Sequence, residues 1–425
     1  MTQLSEYAVV VKSGMLDAIV NVPGSKSIAN RALICAALAR GASTVKGMPD
    51  GDDTQAMLQS LQLLGATISL EKSGARIETA IEVDRSDPVS VDANLAGTTA
   101  RFLTAIGALR RGQLTVTGNR SLRSRPMKDL HVALGELGAN LSWKEDKYCL
   151  PVTVCRGESY ADSIQIASET SSQFVTALML IAPMLENGLK IELVGNVISL
   201  PYITMSASVM RAFGANVRVV DERNIVIDGG GYVGCEFTVE PDASSASYPF
   251  AAAAVIGGRV RVNGMRANMM QGDSRFLDVL RQIGCGVKED QSGITISRDV
   301  GTPLLGIDID MSEISDLVPT LSAIAIFATT ATRIRGVGFI RNKESDRIGD
   351  LANELRKLGA NVIEHPDGLE ITPQSLHAGR CDTHHDHRLA MAFGVAGLKQ
   401  PGVIIDQPQV VSKSWPDFWQ MIEAL

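Results

Sequence analysis

One supersecondary pattern is written six times along this chain. A small or polar motif opens an apolar helix, and a glycine-punctuated strand follows. The copies begin at Ser25, Gly97, Ser171, Ser244, Asp316 and Asp386. A spacing of about 70 residues is far too long for a solenoid turn, so each copy is a whole supersecondary unit. The pattern is demanding because its helices, such as "SSASYPFAAAAVIGG", are apolar nearly all round. A helix of that kind must be covered on every side. The chain therefore has to wrap its other elements around these six. Each polar motif lands at a helix N-terminus, where unsatisfied N–H groups and the positive end of the helix dipole favour bound anions.

A second repeat interleaves with the first. It is an amphipathic helix closed by Gly65, Gly138, Gly214, Gly284 or Gly359, as in "DLHVALGELGANL" and "LANELRKLGANV", with "FWQMIEAL" as a truncated sixth copy. A glycine just past the last apolar position predicts a left-handed residue closing the helix. One polar face predicts partial exposure. The length of 425 residues suits about two domains, and six units split three and three. We read residues 1–23 with 241–425 as lobe I and 24–240 as lobe II, with a cleft and hinge between them.

A net charge of −7 gives no basic excess for nucleic acid, and the apolar stretches are too short to cross a membrane. The beginning of the chain lacks the layout of a signal peptide. Six cysteines without metal-type spacing read as packing residues in a reducing compartment. A cytoplasmic protein follows as the expectation.

The cations gather in a few motifs, which on an acidic chain points to a small anionic ligand. "PGSKSIANR" places Lys26, Ser27 and Arg31 at a helix start, without the glycine spacing of a Walker loop. "AGTTARF" sets Gly97 and Arg101 at the next, and "SRPM" holds Arg125 beside Pro126. "SSQF" presents Ser171, Ser172 and Gln173, more polar groups than a cap needs. For each, a capped helix with solvated charges is the competing reading. Asp316 precedes an apolar helix, either as a cap or as a general base. "IRNKESDR" compresses Lys343, Glu344 and Arg347 into one loop, either a solvated charge run or a site. "THHDHR" holds His384, His385 and His387, but in a spacing that suits a metal poorly, and Arg388 is its better candidate. Lys413 lies in "SKSWPDF", whose aromatics should pack on the last helix.

Taken in order, "PGSKSIANRAL", "AGTTARF", "RPM", "SSQF", "DASSAS", "KESDR", "DHRLAMA" and "SKSWPDF" resemble the enolpyruvyl transferase family over essentially the whole chain. The resemblance implies an α/β fold: a two-lobed inside-out α/β barrel, each lobe three βαβαββ-type units with buried helices and outer sheets. It implies transfer of the enolpyruvyl group of phosphoenolpyruvate to the 5-hydroxyl of shikimate 3-phosphate, releasing phosphate, with no cofactor or metal and with a monomeric enzyme. By position, Lys26, Ser27, Arg31, Ser171, Ser172, Gln173, Ser199, Asp316 and Lys343 would bind shikimate 3-phosphate. Lys26, Gly97, Arg125, Gln173, Arg347, Arg388 and Lys413 would bind phosphoenolpyruvate. Asp316, Glu344 and Lys26 would carry the chemistry. Leu95, Phe102 and Phe339 depart from residues common in relatives. Without ligand, the cations are expected to repel one another and favour an open form.

Overall fold

The computed structural model describes residues 5–167, 171–195, 197 and 199–425. They form two compact units. One joins the residues up to Pro23 to Glu240–Leu425, and the other is Gly24–Val239.

In Gly24–Val239 the apolar helices Lys26–Leu38, Gly97–Leu109 and Ser172–Ile181 pack on one another and on Leu200–Ala212. Every residue of Gly97–Leu109 is buried, as its all-round apolar sequence requires. Three four-stranded sheets flank these helices, and all have one design. A parallel pair is extended by two antiparallel strands: for example Ser163–Ala167 beside Leu189–Val194, then Asn224–Ile227, then Val217–Val219. Along Leu189–Val194 burial alternates residue by residue, so one face meets the helices and the other meets water. A short parallel pair, Tyr232–Val233 with Ala39–Arg40, completes this unit.

In the other unit the helices Ala243–Ile256, Val318–Ala325 and His387–Gly397 pack together. Two four-stranded sheets repeat the same design, and in one of them the parallel partner of Gly258–Asn263 is Leu16–Val20 from the chain's start. The third sheet has three strands, with Glu6–Ala8 antiparallel to Val403–Asp406. The first strands thus belong to this unit through main-chain hydrogen bonding, which no local propensity signals.

The amphipathic helices end as their glycines predict. Gly138 has φ 115° and Gly359 φ 87°, with Gly65, Gly214 and Gly284 in the same left-handed region. At Gly138 a side chain is excluded twice over, because an added Cβ would also lie 2.1 Å from the Ser159 carbonyl oxygen. All six cysteines are free thiols. Among the described residues, no helix is long and apolar enough to cross a membrane.

Candidate active site

The candidate residues of Gly24–Val239 collect at the N-terminal ends of its buried helices. Lys26 opens Lys26–Leu38 and its ammonium lies 2.9 Å from the Asp53 carboxylate. Asp53 escaped the sequence reading. The available signal was indirect: a lysine at the mouth of an apolar helix calls for a counter-charge, and "DGDD" lies at the start of the following helix. Arg31 is buried one turn deeper. It donates to Ser206 Oγ (2.7 Å), the Ser27 carbonyl (2.7 Å) and Thr176 Oγ1 (3.3 Å), and lies 5.5 Å from the centre of the Phe102 ring. Burial draws its pKa down to about 10; it remains a cation. Phe102, noted as a departure, therefore serves as the platform under this guanidinium.

Gly97 opens the second helix. An added Cβ there would sit 2.2 Å from Arg101 Nη1, so the missing side chain lets that guanidinium reach the helix mouth, where Arg125 Nη1 also lies, 3.6 Å from the same point. Arg101 Nη1 donates to Gln173 Oε1 at 3.0 Å, which ties the second helix mouth to the third. Ser171 caps that third helix by accepting from the Gln173 N–H, so capping does explain one of its three polar residues. Ser199 holds a left-handed backbone at φ 56° before Leu200–Ala212. A left-handed non-glycine residue costs about 1–2 kcal/mol, and Ser199 is otherwise an ordinary buried serine.

In the other unit the candidates converge on one buried cation. Arg347 donates to three carboxylates: Asp386 (2.7 and 3.2 Å), Asp316 (2.9 Å) and Glu344 (2.8 Å). Asp316 accepts a second guanidinium, Arg388, at 2.7 Å, and Glu344 accepts the Lys413 ammonium at 2.7 Å. Burial alone would raise the Asp316 carboxyl. The nearby charges of Arg388, Lys343 and Arg347 outweigh that and hold it well below the usual carboxylate range. The capping reading of Asp316 does not hold. It lies in the single turn Ser315–Leu317, and Leu317 rather than Asp316 occupies the cap position of Val318–Ala325. Asp386 does cap its helix, accepting from the Arg388 N–H at 2.9 Å.

The charge run also divides. Arg341 pairs with Asp346 and Glu364, both at 2.8 Å, and Asp346 accepts from the N–H groups of Ile348 and Gly349. Those four contacts anchor the loop, while Glu344 and Arg347 turn inward. The Lys343 ammonium lies 6.0 Å from the centre of the Phe339 ring. The histidines do not converge. His384 bonds Glu354 at 2.8 Å, whereas His387 is buried within its helix. Among the described residues, no group of His, Cys, Asp and Glu side chains is arranged to hold a metal. Trp415 packs on Phe418 of the last helix, 5.5 Å between ring centres. Arg347, Arg388 and Lys413 each pair with carboxylates of this unit.

With these groups in place, the chain was compared with known proteins. It matches the EPSP synthase (3-phosphoshikimate 1-carboxyvinyltransferase) family over residues 10–422. The chain belongs to the EPSP synthase family. It is 41% identical to the 3-phosphoshikimate 1-carboxyvinyltransferase of Nostoc punctiforme, over 96% of this chain and 97% of that one. It is 38% identical to that of Shewanella halifaxensis, over 96% of both. It resembles the solved EPSP synthase of Acinetobacter baumannii with a TM-score of 0.81 and 26% identity, over 99% of this chain and 98% of that one. Each unit thus carries one cluster: polar and cationic residues at helix mouths in Gly24–Val239, and the carboxylates Asp316 and Glu344 bridged by Arg347 in the other.

Proposed function

We propose that the chain is a 3-phosphoshikimate 1-carboxyvinyltransferase that moves the enolpyruvyl group of phosphoenolpyruvate to the 5-hydroxyl of shikimate 3-phosphate. The observation that carries this reading is the pair Asp316 and Glu344, bridged by Arg347, in a chain of the EPSP synthase family. A protein that only gripped anions would not need both carboxylates set among its cations. The proposed fold is an inside-out α/β barrel in each unit, with three βαβαββ-type repeats, and the shared sheet design supports it. The enzyme is assigned to the cytoplasm as a monomer.

In this reading Lys26, Ser27, Arg31, Ser171, Ser172, Gln173, Ser199 and Lys343 take the sugar phosphate and its hydroxyls. Lys26, Gly97, Arg125, Gln173, Arg347, Arg388 and Lys413 take phosphoenolpyruvate. Arg31 would act mainly by fixing the floor, since its contacts are to Ser206, Thr176 and Ser27. Asp316 accepts the proton of the 5-hydroxyl as that oxygen bonds to C2 of phosphoenolpyruvate, and C3 gains a proton through Glu344. From the tetrahedral adduct Glu344 takes a proton back from C3, the C2–O bond to phosphate breaks, and inorganic phosphate leaves. Lys26 stabilises the charge that develops on the leaving group.

Without ligand, Arg388, Lys343 and Arg347 stabilise the Asp316 charge and hold its pKa below the ordinary range, which weakens it as a base. Ligand phosphate and carboxylate groups compete for those cations. Binding thereby raises the affinity of Asp316 for a proton when the hydroxyl is in place. Exclusion of water around the bound ligand would strengthen these interactions.

The direct test is phosphate release in metal-free buffer with both substrates and with each omitted. Release that requires both is the expected result; tight binding of both without release would leave an anion-binding protein instead. A second test uses Gly97→Ala. The added methyl must displace the Arg101 guanidinium and break its bond to Gln173. We expect KM for phosphoenolpyruvate to rise roughly tenfold for one lost charge-assisted hydrogen bond, with the thermal midpoint nearly unchanged. An unchanged KM would remove Gly97 from the site.

A further inference from the structure

The steps above leave one buried carboxylate unused. Asp273 sits in the single turn Gly272–Arg275 and is only 5% exposed. That turn is tied down by its neighbour. The Gln271 side chain donates to the Pro241 carbonyl at 2.7 Å and accepts from the Ala243 N–H at 2.9 Å, and Ser274 Oγ donates to the Gln271 carbonyl. Asp273 is thus carried to the mouth of Ala243–Ile256 without its charge being needed for the attachment. There it accepts the hydroxyl of Ser244, while its Oδ1 is buried with no hydrogen-bond partner among the described residues. A buried carboxylate with a single neutral donor is unfavourable, and an amide or apolar residue would fill the space at less cost. The charge at this position therefore calls for a role.

Ser244 Oγ supplies the connection. It lies 3.5 Å from Arg388 Nη2, the same nitrogen that donates to Asp316 Oδ2 at 2.7 Å. A line runs from Asp273 through Ser244 and Arg388 to Asp316. We propose that Asp273 is a positioning residue of the transfer reaction, which through the Ser244 hydroxyl sets how Arg388 is shared between Asp316 and phosphoenolpyruvate. This rests on the roles given to Arg388 and Asp316 above.

The hydrogen-bond directions make the link depend on ionisation. Ionised Asp273 takes the Ser244 hydrogen, so Ser244 Oγ turns a lone pair to Arg388 Nη2. Protonated Asp273 can donate to Ser244 Oγ instead, which takes up one of its two lone pairs and releases the Ser244 hydrogen from Asp273, so the lone pair offered to Arg388 is no longer fixed in direction. The groups facing Asp273 are Ser244 and Asp242 at the start of Ala243–Ile256, Asp316 from Ser315–Leu317 and Arg388 from His387–Gly397. Its chain neighbour Arg275 pairs elsewhere, with Glu313. Burial, joined by the Asp316 charge and opposed by Arg388 and Ser244, pushes the Asp273 carboxyl up to about 7. The ionised form dominates above that pH and is lost below it.

The test compares wild type, Ser244→Ala, Ser244→Thr and Asp273→Asn. Phosphate release is followed from pH 5.5 to 9, phosphoenolpyruvate binding by calorimetry, and folding by circular dichroism. Ser244→Ala should raise KM for phosphoenolpyruvate roughly tenfold, in the range that small misplacement of a binding group produces. KM for shikimate 3-phosphate should stay unchanged, and Ser244→Thr, which keeps the hydroxyl, should restore the wild-type value. Asp273→Asn should abolish the fall in kcat/KM on the acid side of neutrality. Wild-type KM and pH profile in both Ser244→Ala and Asp273→Asn would overturn the proposal. If Asp273→Asn does not fold, the Ser244 pair decides alone. If wild type releases no phosphate, the transferase reading fails, and the proposal then stands or falls on whether Ser244→Ala weakens phosphoenolpyruvate binding.

Discussion

Asp316→Ala is expected to slow phosphate release by about 10²–10⁴-fold, the range over which a positioned general base acts, while phosphoenolpyruvate binds as well as before or more tightly. The two expectations come from one geometry. Asp316 accepts from both Arg347 and Arg388, so its removal deletes the proton acceptor and frees a guanidinium for the ligand at once. Simple disruption of the site would weaken binding and turnover together. Asp316→Asn should behave like the alanine variant in turnover, because an amide keeps the shape but not the basicity. Turnover within tenfold of wild type would mean that Glu344 handles both proton transfers. Single-turnover measurements alongside binding by calorimetry separate these outcomes.

Arg347→Met should produce the largest loss of stability, about 3–5 kcal/mol at neutral pH, as when one partner of a buried ion cluster is removed. Arg347 is 1% exposed and donates to Asp316, Glu344 and Asp386. Methionine fills much of the volume and leaves carboxylates facing one another in a buried setting. The loss carries a pH signature. The folded-state pKa of Asp316 lies below its ordinary value, so its contribution to wild-type stability is fully present above about pH 4, the unfolded value. That contribution disappears as pH falls through the lower folded value. In the variant the carboxylates take up protons more readily, and acid relieves their repulsion. The stability gap between wild type and variant should therefore be widest near pH 7 and narrow towards pH 4, measured by urea unfolding at each pH. A gap independent of pH would show that Arg347 acts through packing rather than charge.

Much of this architecture was legible before any coordinates. The six apolar helices announce their own burial, because no surface position tolerates a segment such as Phe250–Val255. The five closing glycines mark helix ends through a backbone conformation that other residues seldom adopt. The chemistry-bearing motifs stand out because cations and serines at helix mouths interrupt otherwise apolar text. Where the sequence left two readings open, tertiary contacts chose between them residue by residue. Asp316 turned from its helix to two guanidinium groups. Arg341 and Asp346 went to anchoring the loop, while their neighbours Glu344 and Arg347 turned inward.

The sequence by itself determined which segments must be helices, which of them must be buried, and which polar motifs must lie at their N-terminal ends. Periodicity, glycine stereochemistry and helix capping are local rules that act within one segment. Only the tertiary structure decided that Lys26 meets Asp53 from the following helix, that Leu16–Val20 pairs with Gly258–Asn263, and that Arg347 gathers Asp316, Glu344 and Asp386. The same holds for Asp273, which nothing in "MQGDSR" singles out and which is buried beside Ser244, 29 residues away in the chain. Such pairings depend on which helix mouths the packed sheets bring together. Coulomb and desolvation energies then act on distances that no single segment encodes.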